Sequence, residues 1–185
     1  QAQAIPHLIA GHDLLGIAQT GSGKTAAFAL PVLQRLDAEA SPAKPKQPRA
    51  LILAPTRELT IQIRDEFTAL GKQTPLRFAT VIGGVGERPQ IKALARGVDV
   101  LVATPGRLLD LAANRHVDLS AVQVLVLDEA DRLLDMGFIR DVRRIVAQTP
   151  ETRQSLLFSA TMPKEVAALA REILHEPVRI DVSPK

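Results

Sequence analysis

Seven short apolar runs punctuate the chain: Leu14–Ala18, Ala50–Ala54, Phe78–Ile82, Val98–Ala103, Val122–Leu127, Ser155–Phe158 and Val178–Val182. They are rich in Val, Ile and Leu, and several are apolar on both faces. A strand with one wet face alternates apolar and polar residues, so a continuous run marks a strand buried on both sides. The segments between the runs carry helical spacing. Glu58–Leu70 sets Leu59, Ile63, Phe67 and Leu70 three or four apart, and Pro163–Leu174 collects Val166, Leu169, Ile173 and Leu174 on one side. Its leading Pro suits a first helical turn. Thr25–Leu36 forms a third helix, following a Gly-rich turn. Alternating strands and helices predict an α/β domain with a mostly parallel sheet. At 185 residues the chain makes one domain. Asp37–Arg49 reads DAEASPAKPKQPR, with three Pro and no periodicity, and predicts a mobile surface loop.

Composition narrows the partners. Apolar residues make up 46% of the chain, enough for a core, yet no run approaches the roughly 18 residues of a membrane span. The polar, Ala-rich start lacks the basic and apolar regions of a signal peptide. With no Cys there is neither a disulfide framework nor a thiolate metal site, and the four His show no ligand spacing. These features predict a cytoplasmic protein that makes no membrane contact. The net charge of +3 and pI near 9.6 permit nucleic-acid binding without requiring it. Aromatics are only 3%, with no Trp or Tyr, so base stacking is a poor candidate for recognition. Any nucleic-acid contact should run through the sugar-phosphate backbone, where Arg (16 against 7 Lys) is well suited. For any single Arg, a solvated helix face is the simpler reading.

Two motifs carry candidate chemistry. Residues 18–25 read AQTGSGKT between an apolar run and a helical pattern, the context of a phosphate-binding loop. Gly21 and Gly23 permit a tight turn that aims backbone N–H groups inward, reinforced by the positive end of the next helix. Lys24 can reach the β- and γ-phosphates, and Thr25 offers a hydroxyl to Mg²⁺. The general pattern starts with Gly where this chain has Ala18. A chance match of this kind occurs in roughly one chain in a hundred of this length. The second motif is Val124–Leu127 followed by Asp128, Glu129, Ala130 and Asp131. A buried strand thereby delivers acids to its C-terminal edge, where open α/β sheets bind ligands. Asp128 suits the Mg²⁺ acid, and Glu129 could orient and deprotonate an attacking water. An exposed acidic turn after a strand is the plainer alternative.

Asp-Glu-Ala-Asp at 128–131 beside AQTGSGKT resembles the DEAD-box RNA helicases. Four further blocks follow the family order: Pro55-Thr56-Arg57-Glu58-Leu59, Gly83-Gly84, Thr104-Pro105-Gly106-Arg107 and Ser159-Ala160-Thr161. The resemblance spans nearly the whole chain, and this family uses Ala at position 18. It implies a three-layer RecA-like P-loop NTPase domain that uses ATP and Mg²⁺. By resemblance, Gln1, Ala18, Gln19, Thr20, Gly21, Ser22, Gly23, Lys24 and Thr25 bind nucleotide, with Gln1 reading the adenine edge. The family's upstream aromatic is missing. Lys24, Asp128 and Glu129 are the catalytic set, and Thr25 and Asp128 the metal ligands. Pro55, Thr56, Arg57, Glu58, Gly83, Gly84, Thr104, Pro105, Gly106 and Arg107 would line one RNA strand, a role their chemistry allows. Strand-end turns and a first-turn helix residue are the structural alternatives for these blocks. Asp131, Ser159 and Thr161 would couple the ATP site to the RNA face, while Ser-Ala-Thr could also cap the following helix. DRLLDMGF and SATMP are similar to the bacterial RhlE-type branch.

The family reaction is RNA-dependent ATP hydrolysis, with two RecA-like domains closing on ATP and RNA. Nothing after Thr161 carries the family's later blocks, so residues 1–185 are expected to form the ATP-binding first domain of a longer protein, with its C-terminal helicase domain absent. Alone it should be a monomer that binds nucleotide, binds RNA weakly and hydrolyses ATP very slowly. A nucleotide-dependent RNA-binding scaffold and a DNA helicase are the competing readings. A GTPase lacks support, since the sole Asn, Asn114, is in no N-K-x-D motif, and an ABC-type ATPase would show LSGGQ.

Overall fold

The computed structural model describes residues 4–17, 23–39 and 41–181. The side chains of residues 4, 5 and 9 are not among those described. Chain order is α1 (Ala4–Ile9), β1 (Leu14–Ile17), α2 (Lys24–Ala38), β2 (Ala50–Leu53), α3 (Arg57–Leu70), β3 (Phe78–Val81), α4 (Arg88–Arg96), β4 (Val100–Ala103) and α5 (Pro105–Ala113). A 3-10 turn at Leu119–Ala121 follows, then β5 (Val124–Leu127), α6 (Ala130–Asp135), α7 (Ile139–Val146), β6 (Gln154–Ser159), α8 (Lys164–Ile173) and β7 (Val178–Asp181). All seven expected strands form. They pair in the order β3-β4-β2-β5-β6-β1-β7, and every pairing is parallel.

The apolar strands supply both inner layers. Alternate residues of β2, Leu51 and Leu53, face one side with Leu101, Leu125, Leu127 and Leu157, under α4 to α8. Ala50 and Ile52 face the other with Val100, Val102, Val124 and Val126, under α1, α2 and α3. The inner strands thus lie between two helical layers, which is why β2, β4, β5 and β6 are buried along their whole length. Local chemistry sets several helix starts. Thr56 Oγ1 accepts from the N–H of Leu59 at 3.2 Å to cap α3, and Pro105 and Pro89 sit in the first turns of α5 and α4. Ser159 and Thr161 do not cap α8; Pro163 takes that position, with no side-chain bond.

A line of phenylalanines crosses the second layer. Phe158 on β6 lies 5.4 Å from Phe28 on α2, Phe28 lies 6.2 Å from Phe67 on α3, and Phe67 lies 6.0 Å from Phe78 on β3. Gly16 of β1 is opposite Phe158, where a Cβ would come within 2.5 Å of the ring.

The 37–49 segment corrects the expectation of a free loop. The helix α2 continues to Ala38, and the far end is tied down. Arg49 is buried, donating from Nε and Nη2 to Asp99 Oδ1 at 3.1 and 2.7 Å and from Nη1 to the Leu36 carbonyl at 3.3 Å. Asp99 also accepts from the N–H groups of Ala43 and Arg77 at 3.1 and 2.8 Å. Buried charges are tolerated when paired and fully bonded, as here. The network lies at the N-terminal edge of the sheet, away from the motif residues. Among the described residues, no helix is long and apolar enough to cross a membrane.

Candidate nucleotide and nucleic-acid site

Because every strand is parallel, all C-terminal ends reach one edge of the sheet. Strand order then sorts the motif residues. On β5, β6 and β1 that edge carries 128–131, 159–161 and Gly23 at the start of α2. On β2, β4 and β3 it carries 55–58, 104–107 and 83–84.

In the first half, Gln1, Ala18, Gln19, Thr20, Gly21 and Ser22 lie outside the described residues. Gly23 has φ 75°, a left-handed turn open to Gly, and leads into α2. Lys24 and Thr25 open that helix and are buried. The Lys24 Nζ atom lies 2.7 Å from Asp128 Oδ1. Oδ1 also accepts from the Glu129 N–H at 2.9 Å, whereas the buried Oδ2 has no hydrogen-bond partner among the described residues. Burial pushes the Asp128 carboxyl up, and the Lys24 ammonium pulls it back. The contact has the geometry of an ion pair. An unmatched buried oxygen is costly by about 1–3 kcal/mol and fits a cation or a water that a bound ligand would bring. No group of three or more His, Cys, Asp or Glu converges among the described residues, so a metal here would depend on other oxygens.

Glu129 adopts φ 49°, ψ 56°, left-handed geometry that is uncommon outside Gly and clusters at functional sites. Its side chain is 12% exposed, with Arg132 Nη1 at 4.0 Å. On α3, the Glu66 carboxyl is pushed up by partial desolvation and then by the Asp128 charge, although its side chain is largely exposed. No sequence signal singled out Glu66.

Asp131 ties two strand ends together. Its Oδ2 accepts from the Thr161 hydroxyl at 2.8 Å and the Thr161 N–H at 3.1 Å, and its own N–H donates to Ser159 Oγ at 3.0 Å. The Ser159 hydroxyl donates in turn to the Thr161 carbonyl at 2.6 Å. Burial pushes the Asp131 carboxyl up, but these bonds outweigh it and hold it below its ordinary value.

The second half is more open. Arg57, Glu58 and Gly84 are exposed; Thr56, Gly83, Thr104, Gly106 and Arg107 are half-buried; Pro55 and Pro105 are buried. Gly84 has φ 79°, and the Arg57 guanidinium fills the space its Cβ would need. Arg107 Nη1 donates to the Val85 carbonyl at 3.0 Å and to Gln90 Oε1 at 3.3 Å, while Gln90 Nε2 donates to the Ile82 carbonyl at 3.0 Å. Arg107 therefore braces the 83–86 turn as well as standing on the edge. Gln90, the other half of that brace, is buried and carries no motif letter.

Residues 1–169 match the family model described as DEAD/DEAH box helicase. The chain is 49% identical over 179 residues to a protein of Arabidopsis thaliana named DEAD-box ATP-dependent RNA helicase 30, covering 97% of this chain and 30% of that one. It is 47% identical to the ATP-dependent RNA helicase dbp2 of Schizosaccharomyces pombe, covering 98% of this chain and 33% of the relative. The chain thus spans about a third of the length of these curated relatives. Among solved structures, a DEAD box protein from Methanococcus jannaschii superposes with a TM-score of 0.89 at 39% identity, covering 97% of this chain and 48% of that one. A hypothetical ATP-dependent RNA helicase from Sulfolobus tokodaii gives 0.87 at 36%, covering 97% and 51%. These plant, fungal and archaeal relatives do not support placement in the bacterial RhlE-type branch.

Proposed function

The chain belongs to the DEAD/DEAH box helicase family, and from that premise we propose that it forms the ATP- and RNA-binding unit of an ATP-dependent RNA helicase. The observation that carries this reading is the buried Lys24–Asp128 contact with Asp128 Oδ2 left unmatched. A lysine and an aspartate held in contact under the sheet edge are suited to separate onto a phosphate and a cation. Lys24 then turns to the β- and γ-phosphates, with the N–H groups at the start of α2 and the helix dipole behind it. Thr25 and Asp128 are the residues that would hold Mg²⁺, which when bound neutralises phosphate charge. Glu129, fixed by its left-handed backbone, accepts the proton of the attacking water. Asp131, through Ser159 and Thr161, makes the β5 and β6 ends move as one piece. RNA lies on the β2, β4 and β3 half, where Thr56, Thr104 and the Gly83–Gly84 backbone meet phosphates and Arg57 and Arg107 add charge. Turnover and strand separation are assigned to the whole protein, in which a second RecA-like domain supplies arginines to the transition state.

Calorimetric titration with ADP and with GDP in Mg²⁺ tests the site. ADP preference is expected, with binding abolished by Lys24→Ala; binding of neither nucleotide overturns the reading. Glu129→Gln should keep nucleotide affinity and lose hydrolysis in the full-length protein, whereas a scaffold would lose nothing.

A further inference from the structure

The helix α4 begins at Arg88, with Val85, Gly86 and Glu87 between it and the Gly83–Gly84 pair, and carries Arg88, Lys92 and Arg96. Residues four apart share a helix face, and all three are exposed. With a rise of about 1.5 Å per residue, the stripe runs roughly 12 Å down the flank of the sheet. Among the described residues none of the three side chains has an ion-pair partner, and α4 contains no acid. That sets it apart from the other charged helices: α3 and α8 interleave both signs, and on α7 Arg143 is paired with Glu172 at 2.9 Å.

More cations extend the lower end. Arg77 Nη1 donates to the Arg96 carbonyl at 2.8 Å, and the Ala43–Lys44 backbone packs against Gly97. The Lys46 N–H donates to the Leu94 carbonyl at 2.8 Å. The nearby acids are committed elsewhere: Asp99 to Arg49, and Asp118 to Gln47 at 2.8 Å. Glu87, beside Arg88, is the acid closest in sequence to the stripe.

We propose that the Arg88–Lys92–Arg96 stripe is a second phosphate-contacting surface, which takes the RNA as it leaves the sheet edge at Gly83–Gly84 and lengthens the bound footprint down α4. This rests on the edge reading above. The contact is with phosphates and reads no sequence, because the face offers cations and no aromatic platform.

Fluorescence anisotropy would measure a short oligouridylate, long enough only for the edge, and a longer one on this chain across a salt series. The longer RNA should bind roughly tenfold tighter at low salt, with a steeper salt dependence. In the triple variant Arg88→Gln/Lys92→Gln/Arg96→Gln that gain should vanish, and the salt slope on the longer RNA should fall by about 2, at ~0.7 per phosphate contact. Short-RNA affinity and thermal unfolding should be unchanged. Arg88→Lys/Arg96→Lys should retain the gain. No gain with length, or an equal gain in the triple variant, would overturn the stripe and leave the edge intact. Binding of neither RNA would overturn both.

Discussion

The two halves of the C-terminal edge are built from the same kind of strand end, yet they hold their polar residues in opposite ways. On β5, β6 and β1 the charges are held by the protein itself: Lys24 is buried on Asp128, and half-buried Asp131 is gripped by Thr161 and backbone. On β2, β4 and β3 they are outside, with glycines and prolines shaping the surface and Arg57 and Arg107 at its rim. Lys24 and Asp128 are buried against each other before any ligand arrives, with Asp128 Oδ2 left over, so the first half ties ligand binding to the stability of the fold. Apart from Arg107, which braces the 83–86 turn, the second half presents groups open to water, so it can bind a polyanion with little effect on stability.

The largest expected effect tests that difference directly. Lys24→Met leaves the Asp128 carboxylate buried without its cation and should destabilise the chain by about 3 kcal/mol at neutral pH, read by denaturant unfolding. The carboxyl is pushed up in the folded state, so folding takes up a proton as pH falls. The deficit should therefore shrink toward acid pH and return as pH rises. Next, Gly84→Ala puts a Cβ into left-handed backbone and into the Arg57 guanidinium, which should cost about 1–2 kcal/mol. An equal loss in the Gly84→Ala/Arg57→Ala pair would assign the cost to the backbone alone. A double-mutant cycle of Asp131→Asn and Thr161→Val should give a coupling near 1 kcal/mol, reduced by partial exposure. Because the folded Asp131 carboxyl lies below its ordinary value, this stability is present above the unfolded carboxyl pKa and lost as pH falls through the folded value. Thr161→Val should flatten that acid limb. Smallest of all, Arg57→Gln should change stability by less than about 0.5 kcal/mol. It should lower the RNA salt slope by about 0.7 if its charge meets one phosphate.

The strands were legible because burial on both faces leaves a continuous apolar run, and β2, β4 and β5 read that way residue by residue. Three of the eight α-helices among the described residues were legible: α3 and α8 from periodicity, and α2 after its Gly-rich turn. The short α6 and α7 were not, since a helix of two turns barely establishes a period, and α5 was hidden because it starts within Thr104–Arg107, whose Pro and Gly read as a turn. Lys24 and Asp128 stood out in the two motifs, and the contact of Asp131 with Ser159 and Thr161 was implied by the family resemblance. Gln90, Arg49 and Asp13 were not. Asp13 accepts from the N–H groups of Ser155 and His175 at 2.8 and 2.7 Å, partners that only the folded topology brings near. The composition of 37–49 suggested freedom, and one buried arginine reversed it.

The phenylalanine line gives the molecule an optical property. Four of the five Phe belong to it, and there is no Trp or Tyr to outshine them. The near-ultraviolet circular dichroism of the chain should therefore be dominated by one row of rings, running from the strand that ends at Ser159, across the helix that starts at Lys24, to the strand that leads to Gly83. A ligand that shifts one half of the edge against the other would register there without a label.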